Sequence, residues 1–143
     1  MTRPGQPGWR PPLAYVPGET PRHPDGLFDP IRDTARPGMT ADDLRRSLAW
    51  HEGRHYLDEG VHWEAHEVME AVWLALPDGP QRLRVQAAIQ LANAGLKLRM
   101  DRRKAAERLA GIVRDLAQRS EGEAADRWMS RTDLEARLSG YAL

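Results

Sequence analysis

The chain has 143 residues, with 21 Lys and Arg balanced by 21 Asp and Glu, five His and no Cys. Lack of cysteine excludes disulfides, thiolate zinc sites, iron–sulfur clusters and a Cys nucleophile, and zero net charge removes any global pull toward nucleic acid or an anionic membrane. The length suits one domain around one core, no window approaches the roughly 18 apolar residues of a membrane span, and the Pro-rich N-terminus has no apolar signal-peptide core, so a soluble cytoplasmic protein is expected.

Nine of the eleven prolines precede Thr40. Such spacing forbids long helices and favours extended segments and turns. Tyr15, Val16, Leu27, Phe28 and Ile31 are nevertheless too apolar for a plain linker. Residues 1–40 therefore read as an extension, loose over Met1–Arg10 and lying as a strap across the body over Leu13–Ile31. Residues 41–143 read as a single helical domain.

Thr40 with Asp43 resembles a capping box opening a first helix that runs to about Glu59 and stops at Gly60. The spacing predicts a second helix over Val61–Leu76, ended by Pro77-Asp78-Gly79-Pro80. A third covers Gln81–Met100, and a fourth, capped by Asp101, covers Arg102–Arg119 with the stripe Leu109, Ile112, Val113 and Leu116. Ser130 and Asp133 announce a short last helix. Without strand-like alternation, the fold class is all-α: a bundle of four to five helices plus the strap.

On the third helix Gln86, Gln90, Asn93 and Lys97 form a narrow polar line between two apolar faces, which points it inward. Arg84, Ala88, Gly95 and Arg99 are left as the solvent side. The second helix buries Val61, Ala65, Val68, Val72 and Leu76, carries His62, His66, Glu70 and Trp73 along one border, and leaves Glu64 and Glu67 for water.

His51-Glu52-Gly53-Arg54-His55 matches the H-E-x-x-H expression of zinc peptidases. No third ligand follows at the required spacing. His51 and His55 instead continue the apolar face of Leu44 and Leu48, as core or hydrogen-bonded histidines. His62, His66 and Glu70 step by one helical turn and are the weaker candidates for a divalent metal, which another helix would have to complete. Lys97–Arg119 is locally basic, but without an aromatic platform or recognised motif it reads as a solvated helix, not a nucleic-acid surface. The five tryptophans read as core or interface anchors.

Gly60, Trp63, Glu64-Ala65-His66-Glu67, Glu70 and Trp73 follow a recognisable order: a Gly, an aromatic residue, E-A-H-E, a second Glu and a Trp. Gln86, Ile89, Gln90, Leu91 and Ala92 then match Q-x-x-I-Q-L-A. With these two motifs the stretch Leu44–Leu116 resembles the domain of unknown function 309 family. The Y-V-P-G-E-T-P run at Tyr15–Pro21 is similar to the N-terminal extension of longer members. The resemblance implies a small all-helical protein of the prokaryotic cytoplasm with no established activity. Members often carry His where this chain has Lys97. A Lys there would pair with Glu67 or Glu70, or meet an anionic ligand.

These observations define an expected site between the second and third helices, in which His66, Glu67, Glu70 and Trp73 face Gln86, Gln90 and Lys97. It would bind a small polar ligand or perform acid–base chemistry, with His66 as proton carrier and Glu67 or Glu70 orienting it. The alternative is a non-catalytic scaffold, a homodimer in which the same residues form a structural network. A metal-dependent hydrolase using His62, His66 and Glu70 is a second alternative, and no cofactor is favoured.

Overall fold

Thr40 starts the helical body as its side chain implies: Oγ1 accepts a hydrogen bond from the Asp43 N–H at 3.1 Å. The resulting helix, α2 (Ala41–Arg45), is short, because Ser47 caps again and opens α3 (Leu48–Asp58) by accepting from the Trp50 N–H at 3.3 Å. The single first helix expected from the sequence is thus two. Ser47 has extended backbone angles and is buried, so it breaks the run where periodicity alone carries on. Upstream, Pro30 lies in the first turn of α1 (Asp29–Arg32), within the segment expected to be extended.

In this computed structural model, which describes residues 2–143, the remaining elements are α4 (His62–Ala75), α5 (Pro80–Arg99), α6 (Arg103–Arg119), α7 (Glu123–Asp126) and α8 (Arg131–Gly140). Among the described residues the structure is all helical, without strands, and no helix is long and apolar enough to cross a membrane. The helical segments outnumber the four to five expected, because three short ones sit at caps and turns that leave little periodic signal. Ser130 caps α8, its Oγ accepting from the Asp133 N–H at 3.0 Å. Asp101 does not cap α6: its backbone is left-handed at φ 59°, and Arg102 occupies the N-cap without a side-chain bond.

The core is continuous, joining Ala65, Val68, Met69 and Val72 of α4 to Val85, Leu91 and Ala92 of α5, Val113 and Leu116 of α6, and Leu134 and Leu138 of α8. Trp50 and Trp128 meet edge to face at 5.1 Å between ring centres and are almost fully buried. Ile112, assigned to the α6 stripe, is exposed, while Ala105, Ala106, Ala110 and Ala117 supply much of the buried face.

Close helix crossings explain two glycines. A Cβ on Gly53 of α3 would stand 2.6 Å from Met69 Cγ of α4. One on Gly95 of α5 would stand 2.5 Å from Nδ1 of His62 and also run into its Cε1. Gly53 therefore weakens its helix locally but allows α3 to lie against α4.

Arg84 corrects the assignment of a solvent side to α5. It is fully buried, as are Ala88 and Gly95, and only Arg99 of that group is exposed. Its guanidinium donates to Ser120 Oγ at 3.0 Å, the Ser120 carbonyl at 2.7 Å, the Met129 carbonyl at 2.9 Å and Asp126 at 2.5 Å. The chain after α6 folds back around this side chain and uses its planar fork of donors.

Candidate functional site

Helix α4 forms because Glu, Ala, Met and Leu dominate it, and its apolar stripe fixes which way the rest of the helix faces. Ala65, Val68, Val72 and Leu76 are buried as the stripe requires. Glu64, expected to face water, has no exposure at all. The N-terminal segment covers it: Glu64 Oε2 accepts from the Tyr15 N–H at 2.7 Å and lies 2.5 Å from Nε2 of His23. Its Oε1 is buried without a protein partner.

His23 is 8% exposed at its side chain. Held by Glu64 through Nε2, it makes no protein hydrogen bond through Nδ1 and lines a cleft of about 260 Å³. Tyr15 and Phe28 pack against it edge to face, with ring centres 6.4 and 5.2 Å away, and Trp63 lies tilted to it at 5.7 Å. Arg22, Asp25, Asp29 and Glu67 complete the polar part of the lining. A buried carboxylate holding one imidazole nitrogen sets the ring's orientation and directs the other nitrogen outward, the arrangement that acid–base sites use to present a proton acceptor.

A second buried carboxylate repeats the theme. Glu52, the glutamate of the H-E-x-x-H match, is 2% exposed. It accepts from the Gly8 N–H at 3.2 Å and from Arg10 at 2.6 Å. Arg10 also reaches Glu59 at 2.6 Å and lies over the Tyr56 ring. Desolvation lowers the Arg10 pKa, but Glu59 and Glu52 outweigh it and hold the pKa above its usual value. Tyr56 donates to the Trp9 carbonyl at 3.2 Å, and burial pushes its phenol pKa well up. Residues 8–10 are therefore anchored, contrary to the loose Met1–Arg10 expected; Met1 itself lies outside the described residues. His51 and His55, expected in the core, are exposed, because α3 turns Glu52, Gly53 and Tyr56 inward instead.

The expected constellation divides. His66, Glu67 and Glu70 stay together on α4 and meet Arg32 of α1, which donates to the Glu67 carbonyl and lies 3.6 Å from Glu67 Oε1 and 3.5 Å from Glu70 Oε1. His66 Nε2 lies 3.4 Å from Glu70 Oε2, and its Nδ1 is buried without a partner. Lys97 forms no ion pair among the described residues, so Arg32 holds the place considered for it. Gln86, Gln90 and Lys97 are half-buried on α5, where Gln90 accepts from Asn93 at 3.1 Å, and no hydrogen bond joins them to His66, Glu67 or Glu70. Trp73 stacks under Arg82, whose guanidinium lies 4.0 Å from the ring centre.

His62 packs edge to face on Tyr141, at 5.7 Å, and against Gly95, away from the His66–Glu70 pair. Burial lowers its pKa and raises that of Tyr141. No three His, Cys, Asp or Glu side chains converge as a metal-binding group among the described residues, so His62, His66 and Glu70 are not assembled as ligands.

Sequence reasoning missed His23, Glu64, Glu52 and Arg32. An isolated His among prolines carries no local signal. The one available clue was the aromatic content of the N-terminal segment, which implied a covered surface on the body.

Fold and site define an all-helical domain whose central motif helix carries a buried glutamate bonded to an upstream segment. The stretch of residues 50–109 matches the family described as Domain of unknown function (DUF309). It holds α3 from Trp50, all of α4 and α5 and the start of α6, whereas His23 and Arg32 lie outside it. No curated protein and no solved structure matches the chain.

Proposed function

We propose that the protein binds a small polar ligand in the cleft between its N-terminal extension, residues 1–40, and α4 of the 41–143 body, with His23 as proton carrier and Glu64 as the group that orients it. The observation that carries this reading is the 2.5 Å contact between His23 Nε2 and the buried Glu64 carboxylate at the edge of an open cleft. Glu67 lines the cleft and belongs to a second polar group with Arg32, Glu70 and His66. The ligand site thus lies on the N-terminal side of the motif helix, and Gln86, Gln90, Lys97 and Trp73 are not part of it. Neither Ser nor Cys lines the cleft, and its His and carboxylates suit proton transfer.

A specific observation supports the scaffold reading: Glu52 and Glu64 each accept a backbone N–H of the extension, Gly8 and Tyr15, as structural anchors would. Thermal-shift screening of the full chain against amino acids, small carboxylates and small amines separates the two. Ligand binding predicts stabilisation by at least one class, lost in Glu64→Gln, with perturbed NMR signals at Tyr15, His23 and Trp63. If no compound moves those signals while Glu64→Gln still destabilises the protein, the scaffold reading replaces the first.

A further inference from the structure

Hydrogen-bonding capacity in the cleft over α4 is one-sided. With Nε2–H directed at Glu64, 2.5 Å away, Nδ1 of His23 is left as a lone-pair acceptor, on a side chain only 8% exposed. No protein group among the described residues donates to it. Asp25, Asp29 and Glu67 add carboxylate acceptors to the same lining. Exposed carboxylates alone would make only an acidic surface; the buried, unanswered acceptor on His23 turns this one into a site that asks for a donor.

Charge is one-sided too. Glu64, behind His23, is fully buried, and its Oε1 has no protein donor. Its partners are the Tyr15 N–H and the imidazole, so its negative charge is not cancelled by a guanidinium or an ammonium. Glu67 shares the Arg32 guanidinium with Glu70, at 3.6 and 3.5 Å. Asp25 and Asp29 form no ion pair among the described residues. The cation in the lining, Arg22, is exposed and is shared with the neighbouring apolar groove of Leu13 and Pro21. Tyr15, Phe28 and Trp63 form the apolar part of the wall, where electrostatic attraction is screened less than in open water.

We infer that the ligand of this cleft is a small amine bound as its ammonium ion, a step that rests on the binding reading given above. The ammonium N–H donates to Nδ1 of His23, Asp25, Asp29 and Glu67 balance its charge, and the aromatic side chains cover its carbon skeleton. A carboxylate of the same size brings no N–H for Nδ1 and meets like charge on the wall. A volume of about 260 Å³ limits the ligand to a compact molecule.

NMR titration of the full chain at neutral pH and low salt, with phenethylamine, hydrocinnamate and phenethyl alcohol, tests the inference, because the three probes share a hydrocarbon body and differ in charge. Phenethylamine should shift the Tyr15, His23 and Trp63 signals saturably and bind about tenfold or more tightly than the other two. Asp25→Asn/Asp29→Asn should weaken it about fivefold, while Glu107→Gln, an exposed carboxylate on α6, should leave it unchanged. If the double variant fails to fold, the ranking of the three probes on the unaltered chain gives the reading. Equal or tighter binding of hydrocinnamate or phenethyl alcohol, or undiminished affinity in the double variant, would overturn the amine assignment while keeping a ligand in the cleft. Signals unmoved by all three probes would overturn it as well. The binding reading itself falls only if the wider screen of amino acids, carboxylates and amines is also silent.

Discussion

His23 Nε2 lies 2.5 Å from Oε2 of Glu64, and that carboxylate has no solvent exposure. The pair joins a residue of the proline-rich segment to α4, within the stretch that matches DUF309, across 41 positions of sequence. A carboxylate so deeply placed is tolerated only while its donors are present.

Glu64→Ala should therefore cost about 3 kcal/mol, since it strands the Tyr15 N–H and His23 and leaves a cavity. Glu64→Gln, which keeps the volume, should cost less. Urea denaturation gives the magnitudes. Limited trypsin digestion should show faster cleavage after Arg22 in the Ala variant, because the segment is no longer held.

Arg84→Met should cost about 3 kcal/mol despite the similar length of the two side chains, because the Ser120 and Met129 carbonyls lose their buried donor. Arg84→Lys should recover only part of this, as a single ammonium cannot reproduce the fork that contacts Ser120, Met129 and Asp126. Thermal unfolding of the three proteins checks the order.

Arg84 also marks what the sequence could reveal and what it could not. Helix positions in α4, α5 and α6 were legible within a residue or two from apolar periodicity, and the starts of α2 and α8 from the caps at Thr40 and Ser130, because these are local signals. The inward or outward sense of a polar residue is not local. Arg84 looks like a surface arginine until the chain after α6 folds over it, and Glu64 looks solvated until the N-terminal segment does the same. The motif residues His66, Glu67 and Glu70 were legible as a group. Their partner was not, because Arg32 comes from a helix of four residues with almost no periodic signature.

Gly95→Ala should destabilise the protein by about 1–3 kcal/mol, although Ala is the better helix former, because its methyl meets the His62 ring. His62→Ala should remove most of that penalty. A double-mutant cycle on the two positions should show strong coupling, and additive effects would mean that the ring has room to move.

Burial holds the His62 pKa below its ordinary value of 6.5. The unfolded chain then binds a proton at higher pH than the folded one, so this residue's contribution is full above 6.5 and is lost progressively as pH falls below it. His62→Gln should flatten stability against pH in that window, measured by urea denaturation at successive pH values. An unchanged slope would place the acid sensitivity elsewhere.

The most direct test of the central claim is the side-chain ¹H–¹⁵N correlation spectrum of His23 in the full chain. Neutral His23 should carry its proton on Nε2, directed at Glu64, with Nδ1 unprotonated and open to the cleft, and Glu64→Gln should abolish this preference. A proton on Nδ1, or a spectrum indifferent to Glu64→Gln, would contradict the account.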